Sequence, residues 1–242
     1  MRWWLPPALL ALFLFVTPVA MGETAIGQGC GDRAIDLRGA TTAYAAYANG
    51  PVRALKAPGG RARHSFASVN RNGVRAVFGV LAVIRDRECR AAWYRVQLPV
   101  RPNGATGFVA ANAVTVRPVR TRLDVDLSKR RLSFFRDGRL ILATTAGVGA
   151  PDTPTPIGRY FVNQRLHAAD PTGPYGAGGI GISAFSPVLI DWAQGGPIAI
   201  HGTNDPSSVG RSVSHGCIRI ENRLLRRLFR ATETGSPVNI HA

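Results

Sequence analysis

Short runs of β-branched and aromatic residues recur along this chain, bordered by turns that carry glycine or proline. Val74–Ile84, Trp93–Leu98 and Gly107–Val116 are such runs, with Asn-Gly or Pro-Asn-Gly at their borders. Turns at that spacing leave little room for long helices and suit strands joined to their neighbours. The 27 glycines and 17 prolines among 242 residues extend the pattern along the whole chain. The expectation is a mainly β protein, long enough for one large domain or two modest ones.

The second half has the same texture. Leu123–Leu127 alternates apolar and polar residues, as a half-exposed strand should. Leu132–Phe135, the turn Asp137-Gly138 and Leu140–Thr145 read as a hairpin. Further strands are expected at Gly158–Leu166, Ile180–Phe185, Pro197–His201 and Pro237–Ile240. One amphipathic helix stands out: Leu224, Leu225, Leu228 and Phe229 share a face, and Arg223, Arg226, Arg227 and Arg230 line the opposite, solvated one. Pro118–Arg122 marks the expected domain boundary, and no internal repeat is visible.

The N-terminus sets the compartment. Met1–Trp4 is followed by the apolar run Leu5–Val16 and by small residues up to Gly22, which describes a secretory signal peptide over residues 1–22. An uncleaved anchor is the alternative, although the run is short against the roughly 20 residues of a bilayer span. Ile26-Gly27-Gln28-Gly29 before Cys30 lacks a lipoprotein signal. Outside the reducing cytosol, two of the three cysteines are expected to pair. Cys30 and Cys89 are the natural partners, closing a loop worth roughly 4 kcal/mol in the chain-entropy model; the alternative is two free buried thiols. Pairing leaves Cys217 over.

The formal charge is +16, and Lys56 and Lys129 are the only lysines. Such a basic chain favours polyanionic surroundings, including anionic wall polymers. The arginines are scattered and no nucleic-acid module accompanies them, so nucleic acid is not expected as a partner. Membrane contact is expected only through an uncleaved N-terminal segment.

The chemistry concentrates in His201-Gly-Thr-Asn-Asp-Pro-Ser-Ser-Val-Gly-Arg-Ser-Val-Ser-His-Gly-Cys217-Ile-Arg-Ile220. One reading makes Cys217 a nucleophile, with His201 or His215 taking its proton. In an extended segment His215 and Cys217 would face the same way. Amides around Gly216 and Cys217 would cradle an oxyanion, and Arg219 would meet a carboxylate. A second reading is zinc held by Cys217, His201 and His215, with His241 or Asp205 as fourth ligand; the tight paired spacing usual at structural sites is missing. A third is an inert buried cysteine among satisfied histidines, against which the flanking glycines argue.

Ser214-His215-Gly216-Cys217-Ile218-Arg219, with His201-Gly202-Thr203 upstream, resembles the signature of L,D-transpeptidases of the YkuD type. Asp137–Leu140, Gly147-Val148-Gly149, Thr155–Phe161 and Gly173–Gly176 fall in the order seen in that family. The resemblance implies a YkuD-type β-sandwich catalytic domain over 119–242, carrying the amphipathic helix near its C-terminus. It implies Cys217 as nucleophile and His201 as base, its tautomer set by a carbonyl near Gly202. His215 would shape the oxyanion pocket. Ser214, Gly216 and Arg219 would line the substrate site, Arg219 near the stem carboxylate, and Tyr175 would sit in a glycine-rich lid over Gly173–Gly181. No cofactor or metal is implied.

Upstream, Trp93–Pro99, Arg101–Gly104 and Thr106–Val109 resemble the last strands of bacterial SH3-like domains, with Phe108 where tryptophan is usual. That places a small SH3-like barrel over 36–118, behind a linker at 23–35. The implied protein is exported, to the cell wall, the periplasm or the outer face of the membrane. It would transfer an acyl group from a peptidoglycan tetrapeptide stem to an amine, forming 3-3 cross-links. With water as acceptor it would be an L,D-carboxypeptidase or wall amidohydrolase. A non-catalytic wall-binding protein is the reading from another class.

Overall fold

The computed structural model describes Met1, residues 34–37, residue 39 and residues 41–242. The expected signal peptide, most of the linker and Cys30 lie outside the described residues.

The chain is mainly β, as its turn chemistry predicts. The first unit comprises β1 (Ala34–Asp36), β2 (Ala43–Ala48), β3 (Val52–Leu55), β4 (Ala62–Phe66), β5 (Val77–Arg85), β6 (Ala91–Gln97), β7 (Thr106–Ala110) and β8 (Val114–Val119). They form one sheet in the order β4-β3-β7-β6-β5-β2-β8, with β1 also on β5. Phe78, Val96, Leu98 and Val109 fill its core. Gly107–Val116, expected as one strand, is two: the turn Ala111–Ala113 carries the chain from β7, paired with β6, to β8, paired with β2. Cys89 is disulfide-bonded.

The second unit contains β9 (Thr121–Asp126), β10 (Arg131–Arg136), β11 (Arg139–Thr145), β12 (Val148–Gly149), β13 (Gly158–His167), β14 (Gly178–Phe185), β15 (Pro197–His201), β16 (Ser212–Ser214), β17 (Ile218–Arg219), α1 (Asn222–Ala231) and β18 (Pro237–His241). Its main sheet runs β11-β10-β9-β18-β13-β14-β15-β17, and β12 pairs with β16 separately. The hairpin between β10 and β11 turns at Asp137 and Gly138, both at positive φ. Leu225 and Leu228 of α1 are buried in the second core, while Arg223, Arg226, Arg227 and Arg230 are exposed.

Period-two alternation decides what each strand contributes. Ile180 and Ile182 of β14, Ile198 and Ile200 of β15 and Ile218 of β17 point into the core and are essentially inaccessible. Their neighbours Gly179, Ala199, His201, Cys217 and Arg219 are thereby turned to the opposite face. The sheet that hides the isoleucines displays the chemistry.

Arg120 alone separates β8 from β9, so the two units share a continuous junction. Phe161 of β13 buries its ring among Ala45, Val77 and Val119 of the first unit. Gln97 Nε2 donates to the carbonyl of Arg159 at 2.6 Å. Arg101 Nη2 donates to the carbonyls of Ser186 and Gly195, both at 2.7 Å. The Asn103 amide both donates to the Phe185 carbonyl and accepts from its N–H, each at 2.9 Å. A side chain of the first unit thus ties both ends of the 186–196 loop of the second.

Candidate active site

β15 and β17 run parallel, with Ile200 opposite Ile218 and His201 opposite Arg219. That register sets Cys217 beside Ala199 and makes His201 its diagonal neighbour on one face. Diagonal neighbours lie about 7–8 Å apart between backbones, within reach of a long side chain. β17 is also held on its outer edge, where Arg219 and Gly147 exchange two backbone hydrogen bonds of 2.8 Å. Two residues of strand therefore carry the cysteine on a frame fixed from both sides.

The turn that presents Cys217 is built by hydroxyls. Ser214 Oγ donates to the Cys217 carbonyl at 2.6 Å and accepts from the Gly216 N–H at 3.2 Å. Thr155 Oγ1 donates to the Gly216 carbonyl at 2.9 Å, and Thr153 Oγ1 to the Ser214 carbonyl at 2.9 Å. Gly216 has φ +104°, and a Cβ there would stand 2.9 Å from Ile198 Cδ1. Only glycine takes that conformation and fits that space without strain.

This bend changes two expectations. His215 and Cys217 are not on an extended segment; His215 is exposed, its ring 5.1 Å from that of Trp192. The Gly216 N–H is already engaged by Ser214, whereas the Cys217 N–H makes no hydrogen bond among the described residues. Of the two amides, that of Cys217 is the one left unengaged.

His201 is buried, and its Nδ1 contacts the Gly202 carbonyl at 2.5 Å. A carbonyl oxygen only accepts, so Nδ1 bears the proton and Nε2 keeps the lone pair. Burial lowers the imidazole pKa to about 4; the Gly202 carbonyl opposes the shift and Arg219 adds to it. Burial pushes the Cys217 thiol up, and the Ala199 backbone and Arg219 pull it partly back. Both groups therefore rest neutral near pH 7, a thiol beside an imidazole. Arg219 carries the fixed positive charge, and its Nε is buried with no hydrogen-bond partner.

Around this centre, Tyr175 places its ring edge-on to His201, centroids 5.0 Å apart, while remaining 56% exposed. The glycine-rich run expected as one lid divides: Gly178–Gly181 belongs to β14, and the turn before it carries Tyr175. Asn222 clamps the segment after His201, accepting from the Thr203 N–H at 3.0 Å and donating to the Thr203 carbonyl at 2.9 Å. A Cβ on Gly176 or Gly202 would collide with the Asn222 carboxamide, so the three residues interlock.

The zinc set does not assemble. The Asp205 carboxylate is taken up by the N–H and hydroxyl of Ser207, and His241 is exposed beside the C-terminal Ala242. Among the described residues no group of three or more His, Cys, Asp or Glu is placed to hold a metal ion. Cys217 is free.

The family model for the YkuD L,D-transpeptidase catalytic domain matches residues 120–240. The chain belongs to this family. The match starts at the junction residue Arg120 and includes every element of the site. Relatives include the YkuD protein of Bacillus licheniformis, 34% identical over 119 residues, which cover 49% of this chain and 64% of that one. The chain thus spans less than two thirds of that relative. The YkuD protein of Bacillus subtilis is 26% identical over 150 residues, covering 60% of this chain and 84% of its own. A crystal structure of an Enterococcus faecium L,D-transpeptidase mutant has 27% identity over 50% of this chain and 49% of that one, with a TM-score of 0.38.

Sequence reasoning gave no role to Asn222, Thr153, Thr155 or Trp192. Thr155 opens the run Thr155–Phe161, so its position is visible in the sequence but its bond to the Gly216 carbonyl is not. Trp192 lies in a loop with no motif, and only the fold brings it to His215.

Proposed function

We propose that this protein is an exported peptidoglycan L,D-transpeptidase in which Cys217 is the nucleophile and His201 the base. The observation that carries the reading is the register of β15 and β17, which brings a free thiol and a buried imidazole, its Nδ1 engaged by the Gly202 carbonyl, to neighbouring positions on one face. The neutral resting pair implies that the thiol proton moves to Nε2 as sulfur attacks, rather than before.

In the first step Cys217 Sγ bonds to the carbonyl carbon of the third stem residue, and His201 Nε2 takes the thiol proton. The negative charge passing to the carbonyl oxygen meets the Cys217 N–H. Collapse breaks the amide, and the leaving D-amino acid takes the proton from His201 as its amine departs. In the second step an amine from a neighbouring stem attacks the thioester, losing its proton to His201 and releasing the thiol. Arg219 supplies a permanent charge for a substrate carboxylate, and Tyr175 covers the imidazole. Preorganised donors of this kind are typically worth about 100- to 1,000-fold in rate.

The first unit, with its resemblance to SH3-like domains, serves as a spacer or wall-contact module over 36–118. The 119–242 segment carries the catalysis. The test is mass analysis of products from purified tetrapeptide stems. Cross-linked dimers that disappear in Cys217→Ala support the reading. Trimmed monomers alone would assign the site to hydrolysis, and full activity in the variant would overturn the nucleophile.

A further inference from the structure

A second concavity, outside the catalytic face, lies between the two units: a cleft of about 740 Å³ lined by β4, the 67–72 turn, β13 and the end of the 186–196 loop. That size is within the usual range of ligand sites, which often form at such junctions. Its lining is unusual for this chain. Thirty of the 242 residues are lysine or arginine, yet Arg71 is the single charged side chain in the cleft. Carboxamides replace charges there.

These carboxamides are set in place before any ligand arrives. Asn70 Oδ1 accepts from the N–H groups of Asn72 and Val74 at 2.9 and 3.0 Å. Gln164 Oε1 accepts from Asn70 Nδ2 at 2.7 Å and Asn72 Nδ2 at 2.9 Å, joining the two units across the cleft. Gln194 Nε2 approaches Asn72 Oδ1 at 3.5 Å from the opposite wall. Asn163 Oδ1 is buried with no hydrogen-bond partner. Half-buried Phe66, edge-on to Phe78, adds an aromatic surface.

We propose that this cleft is a saccharide subsite that binds an uncharged, N-acetylated glycan strand. The ligand must be held mainly through hydrogen bonds, since Arg71 is the one charged side chain in the lining. It must both donate and accept at close intervals, as carboxamides do. It must also offer an apolar face to Phe66. A pyranose with hydroxyls on its rim, C–H groups on its face and an acetamido arm meets all three conditions.

The position gives the subsite a purpose under the transpeptidase reading, on which this part rests. Gln194 lies two residues after Trp192, whose ring packs on His215 beside Cys217. One loop is therefore a wall of both sites. A glycan held in the cleft would keep the stem peptide it bears near the thiol.

The test is titration of the full chain with the tetrasaccharide of N-acetylglucosamine, followed by amide NMR shifts and calorimetry. Binding is expected with shifts concentrated at residues 66–72 and 194. Asn72→Ala with Gln194→Ala should weaken it roughly tenfold, the size expected for two hydrogen bonds. Both residues are exposed, so the fold should persist; Asn163→Leu gives a second perturbation from inside the cleft. No binding, or binding that neither variant changes, would overturn the subsite. Binding of free tetrapeptide in the cleft instead of the sugar would also overturn it. Because the readout is binding, an intact subsite in a protein that makes no cross-links would leave this inference standing and remove the transpeptidase reading.

Discussion

His201 Nδ1 is held against the carbonyl of Gly202, the next residue in the chain, so the imidazole needs no carboxylate to fix its tautomer. The same burial that fixes the ring keeps it neutral. Its folded pKa of about 4 lies below the ordinary 6.5. As pH falls, the unfolded chain binds this proton first, so stability held above pH 6.5 is lost as pH drops toward 4. The loss amounts to roughly 3 kcal/mol. Urea denaturation at pH 7.5 and 4.5 should show it, and His201→Asn should remove most of that difference. Activity should show no His-like inflection near pH 6.5.

Ser214→Ala removes the hydroxyl that closes the cysteine turn and leaves the Gly216 N–H without its acceptor. A buried group left unpaired costs about 1–3 kcal/mol. The expected result is a lower melting temperature and a kcat reduced at least about tenfold, with Cys217 still open to alkylation. Unchanged kcat would show that the turn needs no such closure.

Gly216→Ala asks an L residue to adopt φ +104° beside Ile198. Strain of about 1–3 kcal/mol is expected, and the Cys217 amide should move off the oxyanion. Thioester formation with a carbapenem, followed by intact mass, should slow far more than simple thiol alkylation. Cys217→Ser should give no thioester at all.

Arg101→Ala frees both ends of the 186–196 loop, since one guanidinium nitrogen holds the Ser186 and Gly195 carbonyls. Trp192 should lose its fixed place on His215. The expected signature is a KM raised several-fold with the alkylation rate of Cys217 unchanged, and a shift in tryptophan fluorescence. A fall in kcat alone would contradict it.

Asn222→Ala unties both backbone groups of Thr203 at once. Because Gly176 and Gly202 close on the carboxamide, the variant leaves a polar void, and a loss of about 2–4 kcal/mol is expected by thermal denaturation. Leu should not rescue it, whereas Gln should restore part of the clamp.

The strands that were legible from sequence had period-two alternation and a clear turn at one end: Pro197–His201 was placed to the residue. β2, with alanine at four of six positions, and β12, β16 and β17, with two or three residues each, carry too little pattern to read. Cys217, His201 and Arg219 were legible because motif letters mark them. Their common face was not, since it depends on the parallel pairing of β15 with β17 across sixteen residues. The face that His215 and Cys217 were expected to share was not legible either, since the positive φ of Gly216 ends the extended run between them. The Asn222 clamp and the Trp192 contact arise only from folding distant segments together.

The single residue between β8 and β9 also governs how this molecule comes apart. With Phe161 seated among the alanine and valines of the other sheet and Gln97 bonded to Arg159, melting one sheet strips the lining from its neighbour. Heating should give one calorimetric peak rather than two. A fragment cut at Arg120 would retain every motif letter and lose the ground beneath them.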